Sequence, residues 1–238
     1  MKSLEGKIAI VTGASRGIGR AISIAFAEQG ANLVLAARNA PDLQNVQTVI
    51  TKLGVKSYIV QTDVTSEDQI KNMFKKTIEV FGRLDILVNN AGVFLNEPID
   101  KMSTETWDWV VNIELRAPFI CTREAIRIMK PQGGGRIINI GSISAQRVRA
   151  FTAPYNAAKF GLVGLTHTTA LEGRDFGITC GILHPGITAD RTKSQKPNQT
   201  LSYEETAATA VFMASQPPHS NIFEVIQIPI EQPYLGRG

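Results

Sequence analysis

Tyr155 and Lys159 are a pair of side chains whose types and spacing suit proton transfer. They lie four residues apart in a segment, 152–176, that we predict to be helical, so both side chains project from one helix face. An ammonium group beside a phenol favours the phenolate and eases proton exchange near neutral pH. The same spacing also describes an ordinary helix-surface pair, so the assignment depends on the residues around it.

A hydroxyl group that could act on the same substrate precedes this pair. Ser142 lies thirteen residues before Tyr155 and directly follows the apolar run 136–141, which we predict to be a strand. Side chains at the carboxyl ends of parallel strands face the ligand crevice, where a hydroxyl can donate a hydrogen bond to a substrate oxygen. Ser144 is a second candidate for this role. The alternative interpretation of Ser144 is a structural role in the turn after the strand.

A glycine-rich turn follows the first predicted strand and has the pattern of an anion-binding loop. The sequence TGASRGIG occupies positions 12–19 and leads into a helix-forming segment. Gly13 permits the positive φ of a tight turn, Gly17 leaves room for a pyrophosphate at the helix N-terminus, and Gly19 permits close packing of helix on strand. An ordinary strand-to-helix turn is the alternative, but the position of the motif favours binding.

The elements that must position these residues alternate between short apolar runs and longer amphipathic segments. Runs that are apolar almost throughout are typical of strands covered on both faces, and the segments between them are long enough for crossover helices. The sequence therefore predicts an α/β fold, a single domain over 1–238 with a doubly wound parallel sheet. The predicted strands are 7–12, 32–37, 57–62, 84–89, 136–141, 178–183 and 223–228, and the predicted helices are 17–29, 66–81, 103–130, 152–176 and 202–215.

The composition excludes several classes of protein. Of 238 residues, 43% are hydrophobic and 19% charged, which suits a large core and not a disordered or fibrous chain. No apolar run approaches the about 18 residues of a membrane span, and the N-terminus lacks a signal-peptide pattern, so we expect a cytoplasmic protein without a membrane partner. The basic residues behind the net charge of +4 are scattered, which argues against nucleic acid. Cys121 and Cys180 have no metal-ligand spacing, so we expect buried thiols.

Together, the motifs resemble those of the classical short-chain dehydrogenase/reductases. The resemblance rests on TGASRGIG at 12–19, NNAG at 89–92, Ser142, YNAAK at 155–159 and HPG at 184–186, in this order. It covers nearly the whole chain. It implies a Rossmann-like, seven-stranded sheet of order 3-2-1-4-5-6-7, with a nicotinamide cofactor at the crevice where that order reverses.

The resemblance also implies catalytic roles. Tyr155 would exchange a proton with the substrate oxygen, Ser142 would bind that oxygen, and Lys159 would hold the nicotinamide ribose. Asn112 matches the family's fourth catalytic position and is expected to hold a water between the lysine and bulk solvent. The implied reaction is hydride transfer between nicotinamide and a small carbonyl or alcohol substrate. The three histidines lie in unrelated elements, so no metal is expected.

The residues after the second strand indicate which cofactor binds. By the resemblance, Ala37 stands where NAD-dependent relatives carry aspartate, and Arg38 follows it. Arg16, inside the glycine turn, is a second basic position associated with NADP(H). Two guanidinium groups can pair with a dianionic phosphate, so we expect NADP(H). The implied cofactor contacts are Gly13, Ser15, Arg16, Gly17, Ile18, Gly19, Arg38, Asp63, Val64, Asn89, Ala91, Gly92, Tyr155, Lys159, Pro185, Gly186 and Thr188.

Some of these contacts have specific expected partners. Asp63 and Val64 resemble the pair that contacts adenine, and Asn89 resembles the residue that positions its ribose. Position 190 is Asp190, where the family commonly carries a threonine that binds the nicotinamide carboxamide. We therefore expect Thr188 to make that contact through its backbone.

The segment that would cover the substrate is short. Residues 187–201 are polar, lack apolar periodicity and contain Pro197, so we predict a mobile loop and an open cleft. Specificity would then depend on Phe94, Leu95 and the segment 146–151.

Two functions are compatible with the resemblance. The first is an NADP(H)-dependent carbonyl reductase or alcohol dehydrogenase, with a 3-oxoacyl thioester reductase as a more specific alternative. The second is a catalytically weak, nucleotide-sensing interaction protein on the same fold. Such relatives tend to lose the tyrosine or the lysine, and this chain retains both Tyr155 and Lys159. A homodimer or homotetramer formed through the long helices is expected in either case.

Overall fold

A parallel sheet of seven strands runs through the centre of the protein. The computed structural model describes residues 2–233 and their side chains, that of Arg191 excepted. The strand order is 3-2-1-4-5-6-7 and each neighbouring pair is parallel. The predicted α/β class and strand order are thereby confirmed. The strands are β1 (Ile8–Thr12), β2 (Asn32–Ala37), β3 (Ser57–Gln61), β4 (Ile86–Asn89), β5 (Gly135–Ile140), β6 (Ile178–Pro185) and β7 (Glu224–Gln227).

Helices cover both faces of this sheet. They are α1 (Gly17–Glu28), α2 (Ala40–Lys52), α3 (Glu67–Phe81), α4 (Thr104–Val111), α5 (Ala117–Met129), α6 (Ala153–Gly173) and α7 (Tyr203–Ala214). Residues of α1, α2 and α7 form the core on one face, and residues of α3, α5 and α6 pack on the other. Ile10 of β1 belongs to one core and its neighbours Ala9 and Val11 to the other, because successive strand side chains point to opposite faces. This two-sided burial explains why the strands are apolar throughout.

The predicted continuous helix 103–130 is interrupted, which corrects the sequence-based prediction. Residues 112–116 form one π-helical turn between α4 and α5, and the backbone N–H of Ala117 donates to the carbonyl oxygen of Asn112. Pro118 provides the physical reason. It has no N–H to donate to Glu114, four residues earlier, and its ring crowds that carbonyl, so the helix widens locally.

The helix α2 was not among the helices assigned from the sequence. The side chain of Asn39 caps it by accepting a hydrogen bond of 3.2 Å from the backbone N–H of Asp42. Leu43, Val46 and Ile50 are its buried residues. With so few apolar positions in thirteen residues, the periodic signal is weak.

The core of α1 provides a test of this packing. Ile22 is fully buried, whereas Ile99 is 75% exposed. We expect Ile22→Ala to lower the free energy of unfolding by about 2–5 kcal/mol through lost burial and the cavity left behind. The matched variant Ile99→Ala should change it by less than about 0.5 kcal/mol. Denaturant unfolding of both variants measures the difference, and equal effects would contradict this account of the core.

The described residues show the state of the cysteines, the apolar length of the helices and the grouping of metal-ligating side chains. Cys121 and Cys180 are free and buried, as predicted, and burial raises the pKa of both thiols. No helix within residues 2–233 is long and apolar enough to cross a membrane. The same residues contain no group of three or more side chains arranged to hold a metal ion. The tail from residue 234 onward lies outside the described residues.

Candidate active site

A cleft of about 810 Å³ lies at the carboxyl ends of the strands. It is lined by Gly13 after β1, Arg38 after β2, Asn90 after β4, Ser142 after β5 and Gly186 after β6. The chain leaves β1 toward β2 in one direction and reaches β4 in the other, so this is the point where the strand order reverses. Clefts at such points are the usual ligand sites of doubly wound sheets.

The glycine turn lines the cleft at its centre. Gly13 and Gly17 have φ values of +67° and +55°, a backbone region that other residues rarely adopt. Arg16 precedes the first turn of α1, and no side chain caps that end of the helix. The first backbone N–H groups of α1 are therefore available to an anion. Tyr203, which the sequence analysis missed, also lines the cleft beside Gly17.

Gly19 differs from the other glycines of this turn. It is buried and does not line the cleft. A Cβ atom at this position would collide with the carbonyl oxygen of Gly13 and the side-chain nitrogen of Asn90. Its place in the structure fits the expected close packing of helix on strand, but not a direct cofactor contact.

Basic residues lie at the β2 end of the cleft. Arg16, Ala37 and Arg38 line it there, together with Asp63 and Val64. Burial opposes ionisation of Asp63. Hydrogen bonds from the backbone N–H and hydroxyl of Thr65, with the charge of Arg38, nevertheless hold the pKa of Asp63 below its ordinary value.

Asp42 is an acidic neighbour that the sequence analysis did not include. It lines the cleft in the first turn of α2, near the two arginines. The β2 end of the cleft therefore contains a carboxylate as well as the guanidinium groups. Any account of cofactor choice must include this residue.

Asn89 is placed differently from the expectation. Its side chain is buried and donates hydrogen bonds to Asn139 Oδ1 at 2.9 Å and Thr122 Oγ1 at 3.3 Å. Asn90 lines the cleft instead, and its Nδ2 donates to the carbonyl oxygen of Thr12 at 2.9 Å. Asn89 is the last residue of β4, so its side chain points into one core and the next residue faces the other way. The side chain of Asn89 therefore points away from the cleft, and the assignment of Asn89 to the cofactor ribose stays a prediction.

Ser142, Tyr155 and Lys159 line the cleft together at its β5 end. Nζ of Lys159 lies 5.4 Å from the centre of the Tyr155 ring. Phe94, on the loop after β4, packs edge-on against that ring with centroids 5.3 Å apart. The Tyr155 ring therefore lies close to the ammonium group of Lys159 and packs against the ring of Phe94.

The turn that carries Ser142 is held by hydrogen bonds. Its Oγ accepts a hydrogen bond of 3.1 Å from the backbone N–H of Ser144, which leaves the hydroxyl proton free to be donated. Ser144 itself is buried and does not line the cleft. Nδ1 of His184 lies 2.8 Å from the carbonyl oxygen of Ser142. Burial lowers the pKa of His184, although Ser142 and Glu224 act in the opposite direction.

Glu114 occupies the place beside the lysine that was expected for Asn112. Asn112 does not line the cleft, and its Oδ1 accepts a hydrogen bond of 3.2 Å from Arg116. Glu114 lines the cleft, and its Oε2 lies 2.9 Å from Nζ of Lys159. Burial alone would lower the pKa of Lys159, but the negative charge of Glu114, with that of Tyr155, raises it above its usual value. The structure thus places Glu114, and not Asn112, in direct contact with Lys159, and the water-holding role of Asn112 stays a prediction.

The sequence contains a signal for Glu114 that was missed. It is an acidic residue between apolar neighbours, Ile113 and Leu115, in a segment that otherwise packs inward. A buried carboxylate of this kind needs a cationic partner. Lys159, in the predicted helix 152–176, is such a cation.

Residues after β6 complete the cleft. Pro185, Gly186 and Thr188 line it, and Thr188 Oγ1 donates to the carbonyl oxygen of Gly186 at 3.2 Å. Segment 187–201 contains two single turns of 3-10 helix, and its ends are joined by a bridge between Thr188 and Leu201. Among the described side chains between positions 189 and 202, none lines the cleft.

Most of the cofactor contacts implied by the sequence lie on this one surface. Those that line the cleft are Gly13, Ser15, Arg16, Gly17, Ile18, Arg38, Asp63, Val64, Ala91, Gly92, Tyr155, Lys159, Pro185, Gly186 and Thr188. The fold and this cleft define a doubly wound α/β protein with a ligand site at its switch point.

Comparison with known proteins identifies the family. A family model described as short chain dehydrogenase matches residues 7–201. An uncharacterised oxidoreductase of Thermotoga maritima is 40% identical over 183 residues, 77% of this chain and 72% of the relative. A 3-oxoacyl-[acyl-carrier-protein] reductase of Synechocystis sp. is 35% identical over 228 residues, 91% of this chain and 92% of the relative. A metagenomic short-chain oxidoreductase solved in complex with NADP has a TM-score of 0.86 at 33% identity, over 95% of this chain and 98% of that one. This chain belongs to the short-chain dehydrogenase family, as predicted.

Proposed function

We propose that this protein is an NADP(H)-dependent oxidoreductase that interconverts a carbonyl compound and an alcohol. The observation that carries the proposal is the joint presence of Ser142, Tyr155 and Lys159 at one end of a cleft whose other end holds Arg16 and Arg38. Strands β2 and β5 are three strand spacings apart in the sheet, roughly 14 Å. The cleft thus separates an anion-binding end from a proton-transfer end by a distance that an extended dinucleotide can span.

The residues present fit such a cofactor. The uncapped first turn of α1, next to Gly17, offers backbone N–H groups to a pyrophosphate. Arg16 and Arg38 would pair with the 2′-phosphate that distinguishes NADP(H), and Ala37 leaves no carboxylate at the position that would repel it. The NADP bound to the metagenomic relative supports this choice. Asp42 lines the same cleft, and its negative charge acts against a bound 2′-phosphate.

The chemistry at the β5 end follows from three side chains. A bound nicotinamide would supply the hydride in reduction or accept it in oxidation. Tyr155 donates its phenolic proton to the substrate oxygen during reduction and takes it back during oxidation. Ser142 donates a hydrogen bond to the same oxygen, and Lys159 would hold the cofactor ribose beside the phenol. The family relatives described as oxidoreductases support this assignment.

The test is an assay of NADPH oxidation with a size series of ketones, aldehydes and 3-oxoacyl thioesters. We expect bulky or extended carbonyl compounds to have the higher kcat/KM, because no described side chain between positions 189 and 202 lines the cleft. The Synechocystis relative, a 3-oxoacyl-[acyl-carrier-protein] reductase, makes thioesters one class to include. A sharp optimum for the smallest ketones would contradict the open cleft. NADPH binding without turnover on any member would favour a nucleotide-sensing protein.

We also infer that the protein forms a dimer or tetramer through its long helices. Large apolar side chains are exposed on three consecutive helices of one region. They are Trp107 and Trp109 in α4, Phe119 in α5, and Phe160 and Leu171 in α6. Exposed apolar surface of this kind is typical of an interface between subunits.

A further inference from the structure

Lys159 has a buried counter-ion that the proposed reaction does not use. Glu114 is 1% exposed, and its Oε2 lies 2.9 Å from Nζ of Lys159, itself 6% exposed. The other carboxylate oxygen, Oε1, accepts a hydrogen bond of 2.6 Å from the backbone N–H of Val93. Nζ also donates to the carbonyl oxygen of Ile140 at 2.8 Å. The carboxylate is therefore held between the loop after β4 and the lysine of the site.

The backbone around the carboxylate is shaped to admit it. Glu114 lies in the π-helical turn, and a Cβ atom at Gly92 would come within 2.8 Å of its Oε1. Gly92 also lines the cleft. The glycine thus leaves the space that the carboxylate fills.

This ion pair changes the charge that Tyr155 experiences. Lys159 alone would present a full positive charge 5.4 Å from the phenol ring, in surroundings that screen it weakly. Such a charge favours the phenolate. With Glu114 in contact, the pair is neutral as a whole, so it exerts a weaker field on the phenol than Lys159 would exert alone.

We propose that Glu114 is a positioning residue that neutralises Lys159 and thereby keeps Tyr155 in the protonated form that carbonyl reduction requires. The inference rests on the proposed function, because it takes Tyr155 as the proton donor. In reduction, a hydride from the reduced nicotinamide adds to the carbonyl carbon, the C=O π electrons move to oxygen, and that oxygen takes the phenolic proton. The phenolate is then reprotonated from solvent. Only the protonated phenol can start this step.

The other titratable groups nearby do not provide this effect. The charges that act on Lys159 are those of Glu114 and Tyr155, and Lys159 in turn acts on His184 in β6. Burial lowers the pKa of His184, so its imidazole is neutral in the alkaline range where a phenol titrates. Glu224, 3.2 Å from His184, is partly exposed and does not line the cleft.

The test is an ultraviolet absorbance titration of the phenolate in the full, cofactor-free chain. Subtracting the spectrum of the Tyr155→Phe version of each variant isolates Tyr155 from the other three tyrosines. Glu114→Gln keeps an oxygen for the Val93 N–H but leaves the charge of Lys159 without its counter-ion. The pH midpoint of the Tyr155 titration should therefore fall by about one pH unit. Lys159→Gln leaves the carboxylate alone, so the midpoint should rise. The double variant removes both charges and should titrate near the wild type.

The pattern of these shifts separates an electrostatic role from a structural one. If Glu114 only holds the Val93 loop, Glu114→Gln will leave the midpoint unchanged, and that result overturns the proposal. Glu114→Asp retains the charge and should stay near the wild-type midpoint. Should Glu114→Gln not fold, Lys159→Gln and the double variant still decide, because equal midpoints in these two would overturn the proposal.

A kinetic measurement then connects the titration of Tyr155 to its role in carbonyl reduction. With a ketone that the enzyme reduces, the alkaline limb of the kcat/KM profile should move to lower pH in Glu114→Gln by the shift seen in the titration. A profile that keeps its shape, lowered equally at each pH, would contradict the proposal. If no variant reduces any carbonyl compound, the proposed function fails, while the cofactor-free titration still reports on the ion pair.

Discussion

Replacing Tyr155 by phenylalanine is expected to lower kcat for carbonyl reduction by a factor of about 10² or more, the usual effect of losing a positioned acid. The ring remains, so its edge-on contact with Phe94 and its packing near Lys159 are retained. For this reason NADPH affinity, measured by fluorescence titration, should stay within about threefold of the wild type.

Tyr58→Phe is the matched control for this experiment. Tyr58 is in β3, 37% exposed and not in contact with the cleft, so the loss of its hydroxyl should leave kcat unchanged. Near-normal turnover by Tyr155→Phe would remove the phenol from the acid role. A parallel loss of NADPH affinity would indicate instead that the substitution disturbs the cofactor end of the reaction.

Arg38→Ala is expected to raise KM for NADPH by about 10- to 100-fold and to leave KM for NADH nearly unchanged. Only NADPH presents a phosphate to the guanidinium group, and a hydrogen bond to a charged group contributes about 1.5–3 kcal/mol. Arg38 lines the cleft directly after Ala37, and its charge already acts on Asp63. Steady-state kinetics with both cofactors measure the effect, with kcat expected to change little.

Arg20→Ala provides the control for loss of a basic residue. Arg20 is exposed on α1 and does not line the cleft, so neither KM should change. If Arg38→Ala raises KM equally for NADPH and NADH, then Arg38 supports the structure of the cleft and does not bind the phosphate. Asp42→Asn is informative in the same assay: removing its charge should favour NADPH further, because a carboxylate at this end of the cleft repels a phosphate.

Much of this protein could be predicted from its sequence because the relevant signals are local. Strands buried on both faces must be apolar throughout, and the seven runs mark them within one or two residues of their observed bounds. Gly13 and Gly17 could be placed in the turn because the backbone there needs positive φ. Tyr155 and Lys159 could be paired because the helical repeat puts residues four apart on one face. The strand order, by contrast, came from the family resemblance.

The side chains at the ends of elements could not be predicted from local signals. Whether Asn89 or Asn90 faces the cleft depends on where β4 ends and on which face its last residue points to. Because both residues are asparagine, their residue type does not show which of the two faces the cleft. Contacts with Thr122 and Asn139, far away in the sequence, hold Asn89 in the interior.

The sequence by itself thus determined the α/β fold, the glycine turn and the pairing of Tyr155 with Lys159. The tertiary structure alone decided that Glu114, and not Asn112, meets that lysine. Pro118 removes a backbone hydrogen bond and introduces a π-helical turn, which changes the direction of each side chain in 112–116 relative to a regular helix. The resemblance pointed to Asn112, whereas the packing of that turn against α6 brings the carboxylate of Glu114 to the ammonium group.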